Sequence, residues 1–229
     1  MKVSIIIPVF NEVNTVKLLL DKVIENSPND REIIIIDDFS NDGTRELLKN
    51  GLNKKIDKLI LNQKNFGKGY SVRQGIKEAS GDVILIQDAD LEYNPSDYKR
   101  LLNPIVKYDA DVVYGSRFSG SEEKRVLYFW HTIGNKFLTL LSNTFTNLNL
   151  TDMENCYKIF KRDIIQNIEL KENRFGFEPE VTAKIAKKDI RIFEVGVSYN
   201  GRKYTEGKKI TWRDGFSAIR CIIKYHFIN

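Results

Sequence analysis

The segment DVILIQDADLEYNP (82–95) carries three carboxylates at alternate positions, Asp88, Asp90 and Glu92, directly after an apolar run. Along an extended chain, residues i and i+2 point to the same side. The spacing therefore predicts that the three side chains project together beyond the end of a strand. Carboxylates held that close repel one another unless a cation lies between them, and an all-oxygen donor set suits Mg²⁺ or Mn²⁺. A calcium loop does not fit, because Tyr93 stands where an EF-hand needs its turn glycine and Lys99 where it needs a bidentate Glu. The plain alternative is a solvated acidic loop.

Two further stretches weigh against that alternative. In IIIIDDFSNDGT (33–44), Asp37 and Asp38 end a run of four isoleucines. A turn accounts for Asn41, Asp42 and Thr44, but two acids directly after a buried strand are placed to accept hydrogen bonds from a base or ribose. NFGKGYS (65–71) is a glycine-containing strand-to-helix turn that could admit a ligand against the backbone. It matches neither the P-loop nor the dinucleotide fingerprint, and a tight turn explains it equally well.

Positioning these residues requires buried strands, and the first half of the chain supplies them. Apolar bursts at 2–7, 31–37, 57–62, 82–87 and 109–116 alternate with helical patterns at 13–26, 42–50, 69–80 and 95–108. The strands are apolar throughout rather than alternating, which implies burial on both faces. Strand–helix alternation then predicts an α/β fold with a mostly parallel sheet flanked by helices. Beyond Ser116 the pattern changes to a long aromatic-rich amphipathic segment (125–145), two shorter elements and a strand at 189–197. A basic loop, NGRKYTEGKKI, and a final helix at 212–227 follow. Without a linker or internal repeat, the expectation is a single domain over 1–229, with a ligand-binding half (1–118) and a second half (119–229) carrying the amphipathic helices.

Composition narrows the partners. The 229 residues carry 36 basic and 31 acidic side chains, a net charge of +5. That is too weak a bias to argue for nucleic acid, and no nucleic-acid motif is present. Cys156 and Cys221 share no metal-ligand spacing, which points to free thiols and a cytoplasmic protein. MKVSIIIPVFNE is too short and too polar after Pro8 for a signal peptide, and no apolar run approaches the ~18–20 residues of a membrane span.

Taken in order and spacing, IIIPVFNE, IIIIDDFSNDGT, NFGKGYSVRQG, DADLEYNP and VVYGSRF resemble the family 2 glycosyltransferases over nearly the whole chain. The resemblance is strongest to the dolichyl-phosphate mannose synthase and polyprenyl-phosphate glycosyltransferase group. It implies the GT-A fold, a Rossmann-like nucleotide-sugar architecture with an acceptor-side elaboration. It also implies a metal-dependent, inverting transfer of a sugar from a UDP- or GDP-sugar to a polyprenyl phosphate (undecaprenyl or dolichyl). By the same resemblance Pro8, Phe10, Asn11, Glu12, Asp37, Asp38, Lys68, Gln87, Asp88 and Ala89 hold the nucleotide-sugar. Asp88, Asp90 and Glu92 hold Mg²⁺ or Mn²⁺, with Glu92 where that group commonly has Gln. Asp88, Asp90, Arg117 and Arg202 carry the catalytic charge balance.

A phosphate acceptor is already ionised at neutral pH, its second pKa lying near ~6, so it needs cationic guides rather than a general base. Arg117, His131, Asn135, Arg202, Lys203 and Lys208 are the expected guides, with Lys209 beside them. His131 and Asn135 stand where the related synthases carry Arg and Ser. DMENCYK (152–158) and RFGFEPEV (174–181) also depart from the group's acceptor half. In them Asp152 and Glu178 are candidates for a base or a sugar contact. A base would be required under a second reading, transfer to a saccharide or protein hydroxyl in cell-surface glycan synthesis. A nucleotidyltransferase would need a glycine-rich basic N-terminal loop, which PVFNEVNT is not. A non-catalytic nucleotide-sugar binding module would have no need of the Asp88/Asp90 pair. The two amphipathic segments suit either packing on the sheet or a bilayer interface. From Gly201 onward seven Lys/Arg face two Asp/Glu, so the expected location is cytoplasmic, peripheral on the cytoplasmic membrane face.

Overall fold

The computed structural model describes residues 1–120, 123–126, 128–203, 206 and 212–228, with the side chains of 212 and 213 excepted. Its centre is a seven-stranded sheet of order β3-β2-β1-β4-β6-β5-β7. The strands are β1 (Val3–Val9), β2 (Arg31–Asp37), β3 (Lys58–Leu61), β4 (Val83–Ile86), β5 (Val112–Ser116), β6 (Lys158–Lys161) and β7 (Ile192–Gly196). β1 pairs in parallel with β2 and β4, β2 with β3, and β5 with β7; β6 runs antiparallel to both β4 and β5. The alternation pattern thus foretells the parallel part. The reversed β6 was not legible, since its four residues, KIFK, show neither a clear run nor a clear alternation.

β1 and β2 explain the burial inferred from composition. Ile5, Ile6 and Ile7 lie opposite Ile33, Ile34 and Ile35, and every one of these side chains is buried. Each contributes roughly 1.5–3 kcal/mol over an exposed position. β-branched residues suit the pleat, and helices covering both faces make an unbroken apolar run the stable choice.

The helices are α1 (Val16–Asn26), α2 (Thr44–Glu46, continuing as a π turn over Leu47–Gly51), α3 (Lys68–Glu78), α4 (Tyr98–Tyr108), α5 (Phe129–Thr146), α6 (Arg162–Gln166), α7 (Phe177–Ile185) and α8 (Trp212–Phe227). The chain leaves β1 toward β2 on one side, while β4 lies on the other. A crevice therefore opens at the carboxyl ends of β1 and β4, the switch point of an open α/β sheet. α5 packs on α7 and α8 rather than on the sheet. Its fully buried residues are the polar Thr139 and Ser142, whereas Phe129, Trp130, Ile133, Phe137 and Leu140 are exposed.

Candidate active site

At that edge of the sheet lies a cleft of about 760 Å³. The strand expected to carry the carboxylates outward stops at Ile86, and residues 89–93 form a turn. The clustering of Asp88, Asp90 and Glu92 therefore comes from this turn rather than from strand alternation. Gln87 supports it from beneath. Its Oε1 accepts from the hydroxyls of Tyr98 (2.7 Å) and Tyr157 (2.8 Å), and its Nε2 donates to the Asp88 carbonyl at 2.9 Å. Gln87 is fully buried and does not line the cleft. Its place is behind the carboxylates, where it fixes the turn, rather than against a nucleotide as expected.

Asp88, Asp90 and Glu92 all line the cleft, but the Glu92 carboxylate already has partners there. It accepts from the Tyr199 hydroxyl (2.5 Å) and the Arg202 backbone N–H (2.7 Å). No group of three such donors stands in a metal-holding arrangement among the described residues, so of the expected set Asp88 and Asp90 are the pair whose carboxylates are not tied to the Tyr199 hydroxyl and the Arg202 N–H. Two carboxylates, completed by phosphate oxygens and water, form a donor set that fits Mg²⁺ or Mn²⁺. Burial, and then the charges of Asp88 and Glu92, push the Asp90 carboxyl up to about 7, against a hydrogen bond from the Glu92 N–H and the charge of Arg202. Negative charge is concentrated here as a cation site requires.

Lys68 opens α3 beside this pair. Its Nζ lies 3.0 Å from Asp88 and 3.1 Å from Glu178. Burial works against its charge, but Asp88 and Glu178 outweigh that and hold its pKa well above the ordinary lysine range. The turn before it, NFGKG, faces the cleft through Asn65 and Gly67, but its glycines are required by the protein's own packing. Gly67 has φ +101°, and a Cβ there would sit 2.4 Å from the Asn173 carbonyl oxygen; at Gly69 it would sit 2.5 Å from that of Glu172. The glycines admit the protein's own segment 172–174, which brings the loop before α7 against α3.

The two acids after β2 divide. Asp38 lines the cleft and braces the turn ahead of α3, accepting from the N–H groups of Phe66 (2.9 Å) and Gly67 (2.7 Å) and from Asn62. Asp37, expected to contact the nucleoside, is fully buried and bound to Arg45 Nε at 2.6 Å, away from the cleft lining. Pro8, Phe10, Glu12 and Ala89 line the cleft, whereas Asn11 does not; its Oδ1 accepts from the Asn41 N–H and ties the β1 loop to the β2 loop.

On the opposite wall Arg117 is held by Asp152, its Nε and Nη2 each 2.7 Å from carboxylate oxygens, with the ring of Tyr199 5.2 Å from its Cζ. Asp152 is fully buried by this pairing and does not line the cleft, so it holds the arginine and is not placed as a base or sugar contact. Arg202 donates to both oxygens of Glu12 (3.1 and 2.8 Å) and, through Nε, to the Asp90 carbonyl at 3.0 Å. His131 and Asn135 line the mouth with Trp130. Lys203 is exposed, with its N–H on Glu206, and is not part of the lining. Lys208 and Lys209 lie outside the described residues. Glu154 and Cys156 are among the cleft residues that escaped the sequence reading. They fall in a stretch whose departure from the family pattern hid them, and only the return of this loop beneath Asp88 marks them.

Comparison with known proteins gives the family and the fold. The chain is 29% identical over 218 residues to the dolichol-phosphate mannosyltransferase of Pyrococcus furiosus, covering 92% of this chain and 61% of that protein. It is 26% identical to the dodecaprenyl-phosphate galacturonate synthase of Rhizobium johnstonii, covering 91% of this chain and 62% of that protein. The chain thus spans about three-fifths of the length of these curated relatives. Among solved structures, glucosyl-3-phosphoglycerate synthase from Mycobacterium tuberculosis, in complex with Mn²⁺, UDP and phosphoglyceric acid, superposes with a TM-score of 0.77 at 15% identity. That match covers 100% of this chain and 79% of that one, and it establishes the GT-A fold. Residues 4–169 match the family model described as Glycosyl transferase family 2. The chain therefore belongs to glycosyl transferase family 2.

Proposed function

We propose that the protein transfers a sugar from a nucleoside-diphosphate sugar to a polyprenyl phosphate, with Mg²⁺ or Mn²⁺ held by Asp88 and Asp90. The observation that carries this reading is that one cleft joins this acidic turn to two arginines, Arg117 and Arg202, on separate loops. A bound divalent cation would neutralise charge developing on the departing diphosphate. Pro8 and Phe10 offer an apolar wall for the base, and Asp38 an acceptor beside it. Lys68 balances Asp88 and adds a cation at the diphosphate. Arg117, preorganised by Asp152, and Arg202 face the acceptor phosphate, which attacks in its ionised form and needs no proton removed. The two curated relatives described above are named for lipid-phosphate compounds, which supports this acceptor class.

Transfer to a hydroxyl would need a base. Of the two candidates, Asp152 is committed to Arg117 and Glu178 is paired with Lys68, so the phosphate acceptor is the better match. The exposed aromatic residues of α5, with Trp130 at the cleft mouth and 77% exposed, suit a bilayer interface from which a lipid acceptor would enter. None of the described helices is long and apolar enough to cross a membrane, so the proposed association is peripheral.

The test is calorimetric titration with UDP and with GDP, each with and without Mn²⁺, on the protein and on Asp90→Ala. Transfer to a polyprenyl phosphate in vesicles is assayed alongside. Metal-dependent binding of one nucleotide, lost in the variant, supports the reading; no binding of either nucleotide with metal present overturns it.

A further inference from the structure

Tyr199, in the loop after β7, is a buried residue of the cleft that the sequence reading did not select. Its ring lies 5.2 Å from the Cζ of Arg117 and 5.0 Å from the ring of Tyr93. Asp152 grips Arg117 through Nε and Nη2, which leaves Nη1 without a partner among the described residues. A carboxylate fixes one edge of a planar guanidinium, and an aromatic ring against its face limits how the remaining edge can tilt.

Tyr199 is itself held on two sides. Its N–H donates to the Glu123 carbonyl (3.2 Å) and its carbonyl accepts from the Arg125 N–H (2.8 Å). Its hydroxyl donates to one oxygen of Glu92 at 2.5 Å, while the other oxygen takes the Arg202 N–H at 2.7 Å and the Glu92 carbonyl takes the Asn200 N–H at 2.9 Å. One carboxylate thus bears on the backbone of Arg202 and, through the ring, on the guanidinium of Arg117.

We propose that Tyr199, anchored by Glu92, is a positioning residue for the acceptor phosphate: it holds Arg117 with Nη1 open to the incoming phosphate and in fixed relation to Arg202. This rests on the acceptor reading above. Two guanidinium groups on separate loops share one phosphate best when their places are set in advance, because side chains ordered only on binding lose rotamer freedom at that moment. The O–H···O⁻ bond suits the anchor, being about twice as strong as a neutral one. In this role Glu92 links the acidic turn to the acceptor arginines.

The experiment measures by calorimetry the affinity of geranyl phosphate, a short isoprenyl phosphate, with Mn²⁺ and UDP or GDP present. The affinity of each nucleotide with Mn²⁺ is measured beside it. Wild type is compared with Tyr199→Leu, Tyr199→Phe, Glu92→Leu and the double variant Tyr199→Phe/Glu92→Leu. Tyr199→Leu removes the ring and should weaken geranyl phosphate about tenfold, with the nucleotide within about twofold of wild type. Tyr199→Phe keeps the ring but loses the anchor, and should cost about threefold. In the Glu92→Leu background the same change should cost little, because the hydroxyl has no acceptor left to lose. Equal weakening of nucleotide and geranyl phosphate would mark a general structural role and overturn the assignment. Wild-type affinity for geranyl phosphate in Tyr199→Leu, or an equal cost of Tyr199→Phe in both backgrounds, would also overturn it while leaving the acceptor reading standing. If wild type binds neither geranyl phosphate nor vesicles carrying undecaprenyl phosphate, the acceptor reading fails and this assignment with it.

Discussion

Arg202 grips both carboxylate oxygens of Glu12, at 3.1 and 2.8 Å, and so fastens the loop after β7 to the loop after β1. Through Nε it also donates to the Asp90 carbonyl. One guanidinium thus joins three segments that meet only in the folded chain. Its fork geometry makes this possible, since a lysine ammonium lacks the planar paired donors.

Arg202→Lys is expected to disturb the site more than the charge-preserving change suggests. With the pair largely buried, stability should fall by about 1–3 kcal/mol, read from urea unfolding midpoints, and sugar transfer should fall with it. Unchanged unfolding together with unchanged transfer would contradict the role assigned to this contact.

Asp152→Ala removes the carboxylate that pairs with the Arg117 guanidinium and leaves a buried cation without it. A loss of about 3–5 kcal/mol is expected, with Asp152→Asn milder because an amide oxygen still accepts. A general base would behave differently, with full stability and abolished turnover in the Asn variant. Denaturant titration beside the transfer assay separates the two.

At Gly67 a methyl group meets both positive φ and the Asn173 carbonyl. Gly67→Ala should therefore cost about 2–4 kcal/mol and loosen the segment ahead of α7. Hydrogen exchange at Tyr70, whose N–H donates to the Asn173 carbonyl at 3.0 Å, should quicken in the folded variant. Protection equal to wild type would count against this packing role.

Acid sensitivity has a local source at Glu32. Burial works to raise its pKa, but the Ser4 and Ser80 hydroxyls and the Ser80 and Gly81 N–H groups outweigh that, lowering it from 4.5 to about 2. A carboxyl depressed in the folded state stabilises fully above its unfolded value and loses that contribution as pH falls through the folded one. Its share, on the order of 2–3 kcal/mol, should therefore be present above about pH 5 and vanish toward pH 2. Glu32→Gln should flatten the stability profile over that interval, measured by thermal unfolding from pH 2 to 7.

Local pattern was sufficient for the parallel strands and their helices, because an isoleucine run such as 33–36 is stable only inside a sheet covered on both faces. It was sufficient also for the acidic turn, because Asp88 and Asp90 are neighbours along the chain. What it left open was every relationship made by distant segments meeting. That Glu92 turns to Tyr199 and Arg202, that Asp152 holds Arg117, and that Gly67 makes room for Asn173 depend on which loops share one sheet edge. The reversed strand β6 was hidden for the same reason. Its neighbours β4 and β5 dictate its burial, and its own four residues carry no period. Sequence spacing decided which side chains stand close along the chain, while long-range contact decided which of them remain free to meet a ligand, because a buried carboxylate is claimed by whichever donor the fold brings nearest.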